Sequence, residues 1–333
     1  MKNFYFLLLT FFLVAAVGLG SGCSSGGGDD DQAADDDAVD DDLADDDAAD
    51  DDAADDDAAD DDTVADDDTS PPGPLALSVM TYNVMFAFPK DGFDSWKIRG
   101  PHEGDIINYH HCDLNGFQEP LPWQVTDLHA YCPGYDDWHY WDTDATEFYL
   151  ADRFDVLEQG SFWLSPTPGW ISIGWGNGMP RLVAWTTLRD RESGREFFWA
   201  DTHFDNTNPF QTNAAPFFLS EIQTLADGLP IVVTGDFNSR PETDAYHILT
   251  EGATPGGFKL DDSFELCGEQ YDVRQAPGDD RPYDPTGRID HIFTANGPWT
   301  CSYWVVDMTR YGDPLRDPSD HFAIAADIEL AAD

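Results

Sequence analysis

Six polar clusters lie at or beside the ends of strand-like apolar segments of this 333-residue chain, and together they specify a chemistry. They are Thr81-Tyr82-Asn83, Gln118-Glu119, Asp201-Thr202-His203, Gly235-Asp236-Phe237-Asn238, Asp290 and Ser319-Asp320-His321. One Asp or Asn after a strand is commonly a turn residue. Six such ends in one chain point to a site instead, because functional groups of α/β sheets gather on loops at strand ends. Carboxylates with amides suit a hard cation such as Mg²⁺, which takes oxygen ligands and keeps waters that a phosphate can displace. Two histidines with carboxylate partners supply proton transfer or charge neutralisation. No Cys/His set has zinc-finger spacing, and no glycine-rich phosphate loop with a Lys occurs. Cation, amides and imidazoles around one cavity describe hydrolysis at a phosphorus ester.

Strands and helices must bring these clusters together. Apolar, β-prone segments predict strands at Leu75–Tyr82, Leu182–Leu188, Phe197–Thr202, Ile231–Thr234, Arg288–Phe293 and Phe322–Leu330. Ile231-Val232-Val233 is continuously apolar, as in a strand buried on both faces. Helical spacing of Phe217, Phe218, Ile222 and Leu225 predicts a helix over Asn213–Leu229, and Pro241-Glu242-Thr243 opens another over Asp244–Leu249. The alternation argues a layered α/β domain.

The site-bearing segments resemble the endonuclease/exonuclease/phosphatase superfamily, which includes pancreatic-type deoxyribonucleases, apurinic endonucleases, neutral sphingomyelinases and inositol polyphosphate 5-phosphatases. The likeness rests on Ser78–Asn83, Gly116–Glu119, Asp201–Asp205, Gly235–Asn238, Gly287–Asp290 and Ser319–His321, in the family's order. Thr146–Phe154 and Ser161–Ser165 look like a bacterial branch of it. The resemblance implies a four-layer α/β sandwich, two packed mixed β-sheets flanked by helices, over residues 75–333. It implies Glu119 as the principal Mg²⁺ ligand, with Asn83 beside it and Asp320 contributing. Mn²⁺ or Ca²⁺ would be substitutes. Asp236 would align the attacking water and Asn238 would hold the phosphate. His321, oriented by Asp290, would donate to a non-bridging oxygen. His203, oriented by Glu147, would serve the leaving group. The chain departs from the family pattern at Leu150, Asn206, His291 and after His321, which loosens any inference about substrate.

Charge and the N-terminal segment give the setting. The chain carries 66 acidic and 16 basic residues, net −50. Between Asp29 and Asp68 stand 24 Asp without a Glu, Lys or Arg; from Pro71 onward 42 acidic face 15 basic residues, net −27. No basic stripe offers a broad face to double-stranded nucleic acid. Met1-Lys2-Asn3 followed by the apolar run Phe4–Leu19 has the layout of a signal peptide over residues 1–22. Leu19-Gly20-Ser21-Gly22-Cys23 resembles a bacterial lipobox with Cys23 as the lipidated residue, although Gly20 is a poor match. Residues 23–74 are expected to be a disordered stalk of Asp triplets, whose period of about five fits neither helix nor strand. The setting expected is an exported lipoprotein, monomeric, attached to the outer membrane or cell surface through its lipid.

Substrate evidence in the sequence is thinner. Trp170 and Trp175, in the Trp/Gly-rich stretch from Pro166 to Pro180, are candidates to stack on a base or sugar or to face a lipid, and Arg181 to reach a phosphate. Packing of the loop on its own aromatics, and a surface salt bridge for Arg181, are equally simple readings. The expected reaction is phosphodiester hydrolysis of the nuclease kind. The alternatives are monoester or sphingomyelinase-like hydrolysis of inositol phosphates or phospholipid head groups, and a binding module with decayed catalysis. In an exported chain the remaining cysteines suggest two disulfides, with the shortest loops given by Cys112–Cys132 and Cys267–Cys301.

Overall fold

The computed structural model describes residues 72–88, 92–141, 144–176, 178–252, 256–268 and 271–332. The expected signal segment, Cys23 and the Asp-rich stalk up to Pro71 lie outside the described residues.

Thirteen strands form two mixed sheets. The seven-stranded sheet has the order β10-β12-β13-β1-β2-β4-β3. Its members are β1 (Leu75–Asn83), β2 (Leu114–Gln118), β3 (Tyr135–His139), β4 (Ala145–Leu150), β10 (Asp272–Arg274), β12 (Trp299–Asp307) and β13 (Ala323–Leu330). The six-stranded sheet has the order β5-β6-β7-β8-β11-β9. It contains β5 (Phe154–Trp163), β6 (Leu182–Asp190), β7 (Glu196–His203), β8 (Ile231–Asp236), β9 (Asp261–Asp262) and β11 (Asp290–Ala295).

Three apolar clusters make the layers. Trp199 and Phe197 of β7, Val232 of β8, and Leu77 and Val79 of β1 meet between the sheets. Phe198 and Ala200 of β7, with Ile231 and Val233 of β8, point the other way, onto helices α3 (Phe210–Ala226) and α4 (Asp244–Glu251). Met80 and Tyr82 of β1 pack on α1 (Trp96–His110) and α2 (Pro122–Tyr131) through Ile106, Ile107 and Leu128. Alternate residues of the central strands therefore serve different apolar layers, which is why Ile231–Val233 carries no polar face. The result is the expected four-layer sandwich.

The expected strands are present, each with bounds within two residues of the expectation. Helix α3 starts three residues earlier than its apolar spacing suggested, at Phe210, which is buried among Phe204 and Trp175. Thr243 caps α4 by accepting from Tyr246 N, and Gly252 ends it at φ 73°. Helix α1 had no apolar stripe to betray it, because Arg99, Gly100, Glu103 and Gly104 lie on its buried face.

Toward the strand ends the filling between the sheets turns polar. Asp201 Oδ1 accepts from Gln118 Nε2 at 2.7 Å and Thr234 Oγ1 at 2.8 Å. A Cβ on Gly116 would lie 2.1 Å from Thr234 Oγ1 and 2.2 Å from Asp201 Oδ1, so only glycine lets the sheets close here. Cys267 and Cys301 form a disulfide as expected, whereas Cys112 and Cys132 are free and buried. The expectation of a Cys112–Cys132 bridge is thereby corrected. Cys132 Sγ instead approaches the Gly104 carbonyl at 3.8 Å, and burial pushes its thiol up to about 12. An apolar setting keeps such a thiol neutral and inert.

Candidate active site

Sheet register creates the first part of the site. His203 on β7 pairs with Asp236 on parallel β8, and Asp236 pairs with Asp290 on antiparallel β11. Three residues from distant segments thus stand in one row across neighbouring strands, all three buried. Asn83, at the end of β1 in the facing sheet, donates from Nδ2 to Asp236 Oδ2 at 3.1 Å. His321, from the loop before β13, closes the ring: its Nδ1 lies 2.9 Å from Asp290 Oδ2 and its Nε2 3.7 Å from Asp236 Oδ2.

Asp236 is the centre of this arrangement. Burial alone would raise its pKa, but His203, His321 and the Asn238 N–H at 2.9 Å bring it down to about 2. His321 is pushed up to about 11: the opposing cost of burial is outweighed by Asp290 and Asp236. Burial raises Asp290, with its His321 contact opposing. At neutral pH the site therefore holds anionic Asp236 beside a protonated His321.

His203 is held by a group the sequence reading missed. Its Nδ1 lies 3.1 Å from Asp144 Oδ1, and its Nε2 lies 3.3 Å from Asp236 Oδ2. Burial and Arg181 push the ring's pKa down, but Asp144 and Asp236 outweigh them and carry it to about 9. Nδ1 thus faces Asp144 and Nε2 faces Asp236. Arg181 Nη1 in turn binds Asp144 Oδ2 at 3.0 Å, lies 2.9 Å from His203 Nδ1, and its Nε is 4.0 Å from Asp205. So Arg181 does stand at the site, between two carboxylates.

Glu147, the expected partner of His203, belongs elsewhere. It lies on β4 between the sheets, where burial and Asp201 push its carboxyl well above the ordinary range. Residues on a strand point alternately to either face, and Asp144 in the preceding bend is the one that meets His203. Nothing in the stretch Trp141-Asp142-Thr143-Asp144 distinguishes that Asp by sequence, because acidic residues are common throughout the chain.

The cation-binding expectation is met in part. Asp236, Asp290 and His321 bring ligand-type atoms within 4.8 Å of one another, and while His321 is protonated the two carboxylates are the ones open to a cation. Glu119 stands in the turn after β2, where its Oε2 accepts from Phe86 N at 3.1 Å. Carboxylate oxygens dominate this set, and it fits a hard divalent ion. Asn83 stands where it was expected, with its Oδ1 accepting from Met85 N at 3.0 Å and its amide donating to Asp236. Asp320 is exposed beside His321 and adds to the negative field that raises it.

Backbone geometry marks the same place. Glu119, Asn238 and Met85 adopt φ of 70°, 49° and 50°. Non-glycine residues in this region carry strain of about 1–3 kcal/mol that the surroundings must impose, and it collects at functional sites. Asn238 is fixed by donating from Nδ2 to Phe204 O at 2.9 Å.

The aromatic expectations divide. Trp175 lies with its ring centroid 5.5 Å from Phe217 and 5.9 Å from Phe210, so it packs on the α3 core, one of the two readings expected for it. Trp170 is 80% exposed and makes no such packing. His291, where the family pattern has Tyr, is buried; its Nε2 lies 2.9 Å from Ser239 O.

Comparison with known proteins agrees with this geometry. The chain matches the model of the Endonuclease/Exonuclease/phosphatase family over residues 80–321. The mannosyl-6-phosphatase of Bacteroides thetaiotaomicron is 30% identical with a TM-score of 0.66, over 76% of this chain and 99% of that one. An endonuclease/exonuclease/phosphatase family protein of the same species is 28% identical with a TM-score of 0.68, over 78% and 96%. The TDP2 of D. rerio complexed with a single-strand DNA product is 20% identical with a TM-score of 0.59, over 76% and 98%, a likeness of fold alone. The CCR4-Not complex 3'-5'-exoribonuclease subunit Ccr4 of Mycosarcoma maydis is 28% identical over 134 residues, 32% of this chain. The chain spans only 19% of that relative's length.

Proposed function

We propose, from the premise that this chain belongs to the endonuclease/exonuclease/phosphatase family, that it is an exported, lipid-anchored, Mg²⁺-dependent hydrolase of small phosphoesters. The observation that carries the reading is the position of Asp236, ionised and faced by the Nε2 atoms of both His203 and His321 at 3.3 and 3.7 Å.

In-line displacement at phosphorus builds negative charge on the equatorial and leaving oxygens. His203, charged at neutral pH and held by Asp144, delivers a proton to the leaving oxygen. His321, held by Asp290, donates to a non-bridging oxygen. Asp236 fixes the attacking water, and Asn83 keeps that carboxylate aimed. Glu119 with Asp236 and Asp290 would hold the divalent cation, which when bound polarises the phosphoryl group and offsets its charge. Preorganised donors of this kind typically contribute several kcal/mol to the barrier difference.

Two features favour a monoester on a sugar-like alcohol. One is the 30% identity to a mannosyl-6-phosphatase that the chain covers almost completely. The other is the net charge of −27 from Pro71 onward, which opposes a long polyanion. Phosphodiester cleavage of the nuclease kind is the second reading, supported by the segment shared with the exoribonuclease Ccr4.

The full chain should be assayed with Mg²⁺ against hexose 6-phosphates, inositol phosphates, sphingomyelin and single-stranded RNA and DNA. Hydrolysis of a monoester, abolished by EDTA and by Asp236→Asn, is the expected result. Turnover of RNA or DNA alone would select the second reading, and no turnover of any ester would leave a binding module.

A further inference from the structure

We infer that Arg99, a fully buried side chain on α1 outside the reacting groups, is the positioning residue that locks the two halves of the site together. The inference rests on the reading of the site as catalytic. Arg99 Nη1 donates to the Val84 carbonyl at 2.7 Å and the Pro318 carbonyl at 3.2 Å, and Nη2 donates to the Met85 carbonyl. Glu103, one helical turn on and equally buried, accepts from the same Nη1 at 2.5 Å.

Those three carbonyls belong to the two loops that carry the site. Met85 N binds Asn83 Oδ1 and Phe86 N binds Glu119 Oε2, so the turn Arg99 grips aims both side chains. Pro318 directly precedes Ser319, whose hydroxyl donates to the Asn83 carbonyl at 2.6 Å and accepts from His321 N at 3.3 Å. One guanidinium therefore fixes the spacing between the Asn83–Glu119 side and the His321 side. A planar fork with donors in set directions can hold several carbonyls at once, whereas a Lys ammonium is a point charge that cannot reproduce that spread. The left-handed backbone of Met85, at φ 50°, needs such an outside hold.

The test is Arg99→Lys in the full chain, read three ways. Expected are a kcat reduced about 10²-fold with KM changed less than about threefold, as for a displacement near 1 Å at a reacting group. Hydrogen exchange of residues 84–87 and 319–321 should quicken, with the sheets' protection unchanged. If the Lys variant fails to fold, Arg99→Met with Glu103→Leu removes the buried pair as a unit in apolar side chains of similar size. The same losses are expected there. A folded variant of either kind with wild-type kcat and wild-type exchange in both loops overturns the inference. If the wild type hydrolyses no ester, the catalytic reading fails separately, and the exchange comparison still judges the clamp.

Discussion

The carboxylate of Asp144 meets His203 Nδ1 at 3.1 Å across 59 residues of sequence, and Arg181 seals the pair from the other side. This contact joins a bend before β4 in one sheet to the end of β7 in the other. It assigns the orienting carboxylate by contact, which spacing could not do.

Exchanging Asp144 and Glu147 in turn tests that assignment. Asp144→Asn removes the negative charge that raises the His203 pKa, and should cost about 10²-fold or more in kcat, within the usual range for a positioned acid or base. Glu147→Gln replaces a carboxyl that burial already favours as the neutral acid, and should leave kcat within about threefold. Steady-state kinetics on the best substrate decides between them. Equal losses would return the orienting role to Glu147.

Stability of the metal-free protein should carry the signature of His203. Its folded pKa of about 9 exceeds the ordinary 6.5, so the stabilisation is fully present below pH 6.5 and is lost as pH rises through 9. The amount is at most about 3 kcal/mol, from roughly 1.4 kcal/mol per pKa unit. Urea midpoints at pH 6 and pH 10, for wild type and His203→Gln in EDTA, measure it. The wild-type advantage should shrink at the higher pH; an equal advantage at both would show that the ring is not held charged.

Gly116→Ala should destabilise the fold without touching a reacting group. The added methyl meets Thr234 and Asp201 side chains locked by hydrogen bonds, so the sheets must separate. Overpacking of this kind costs about 1–3 kcal/mol. Thr234→Ser in the same background leaves the hydroxyl in place and should not relieve it, which thermal denaturation can follow.

Thiol chemistry separates the two cysteine pairs. In denaturant without reductant, and counting Cys23 apart, Cys112 and Cys132 should react with an alkylating agent while Cys267 and Cys301 should not, as mass mapping of these four can show. Replacing both Cys267 and Cys301 with Ser opens a loop with a sequence separation of 34 residues. The expected loss is about 3–4 kcal/mol from the entropy of the unfolded chain. Four labelled cysteines, or none, would contradict the pairing.

The residues that announce themselves in the sequence are those whose local context is distinctive. Asp236 and Asn238 end a strand with no polar face, His203 closes an apolar run and His321 directly precedes one, so their place at strand ends was legible. A layered α/β domain followed from the same apolar runs, since burial of alternate or continuous residues is written into each strand, whereas the two-sheet sandwich came from the family resemblance. Three things needed the folded chain. Asp144 serves His203, and Glu147 does not, because the bend before β4 faces the site while Glu147 lies between the sheets. Trp175 packs on α3 instead of facing substrate. Cys112 and Cys132 lie within one apolar layer without bonding, a matter of side-chain direction that loop length does not encode. Arg99 belongs with these: a buried cation on a helix without an apolar stripe has meaning only through the distant carbonyls it reaches. Sequence records what each segment can bury and which chemistry it carries; distances between segments far apart in the chain arise only when the sheets close on one another.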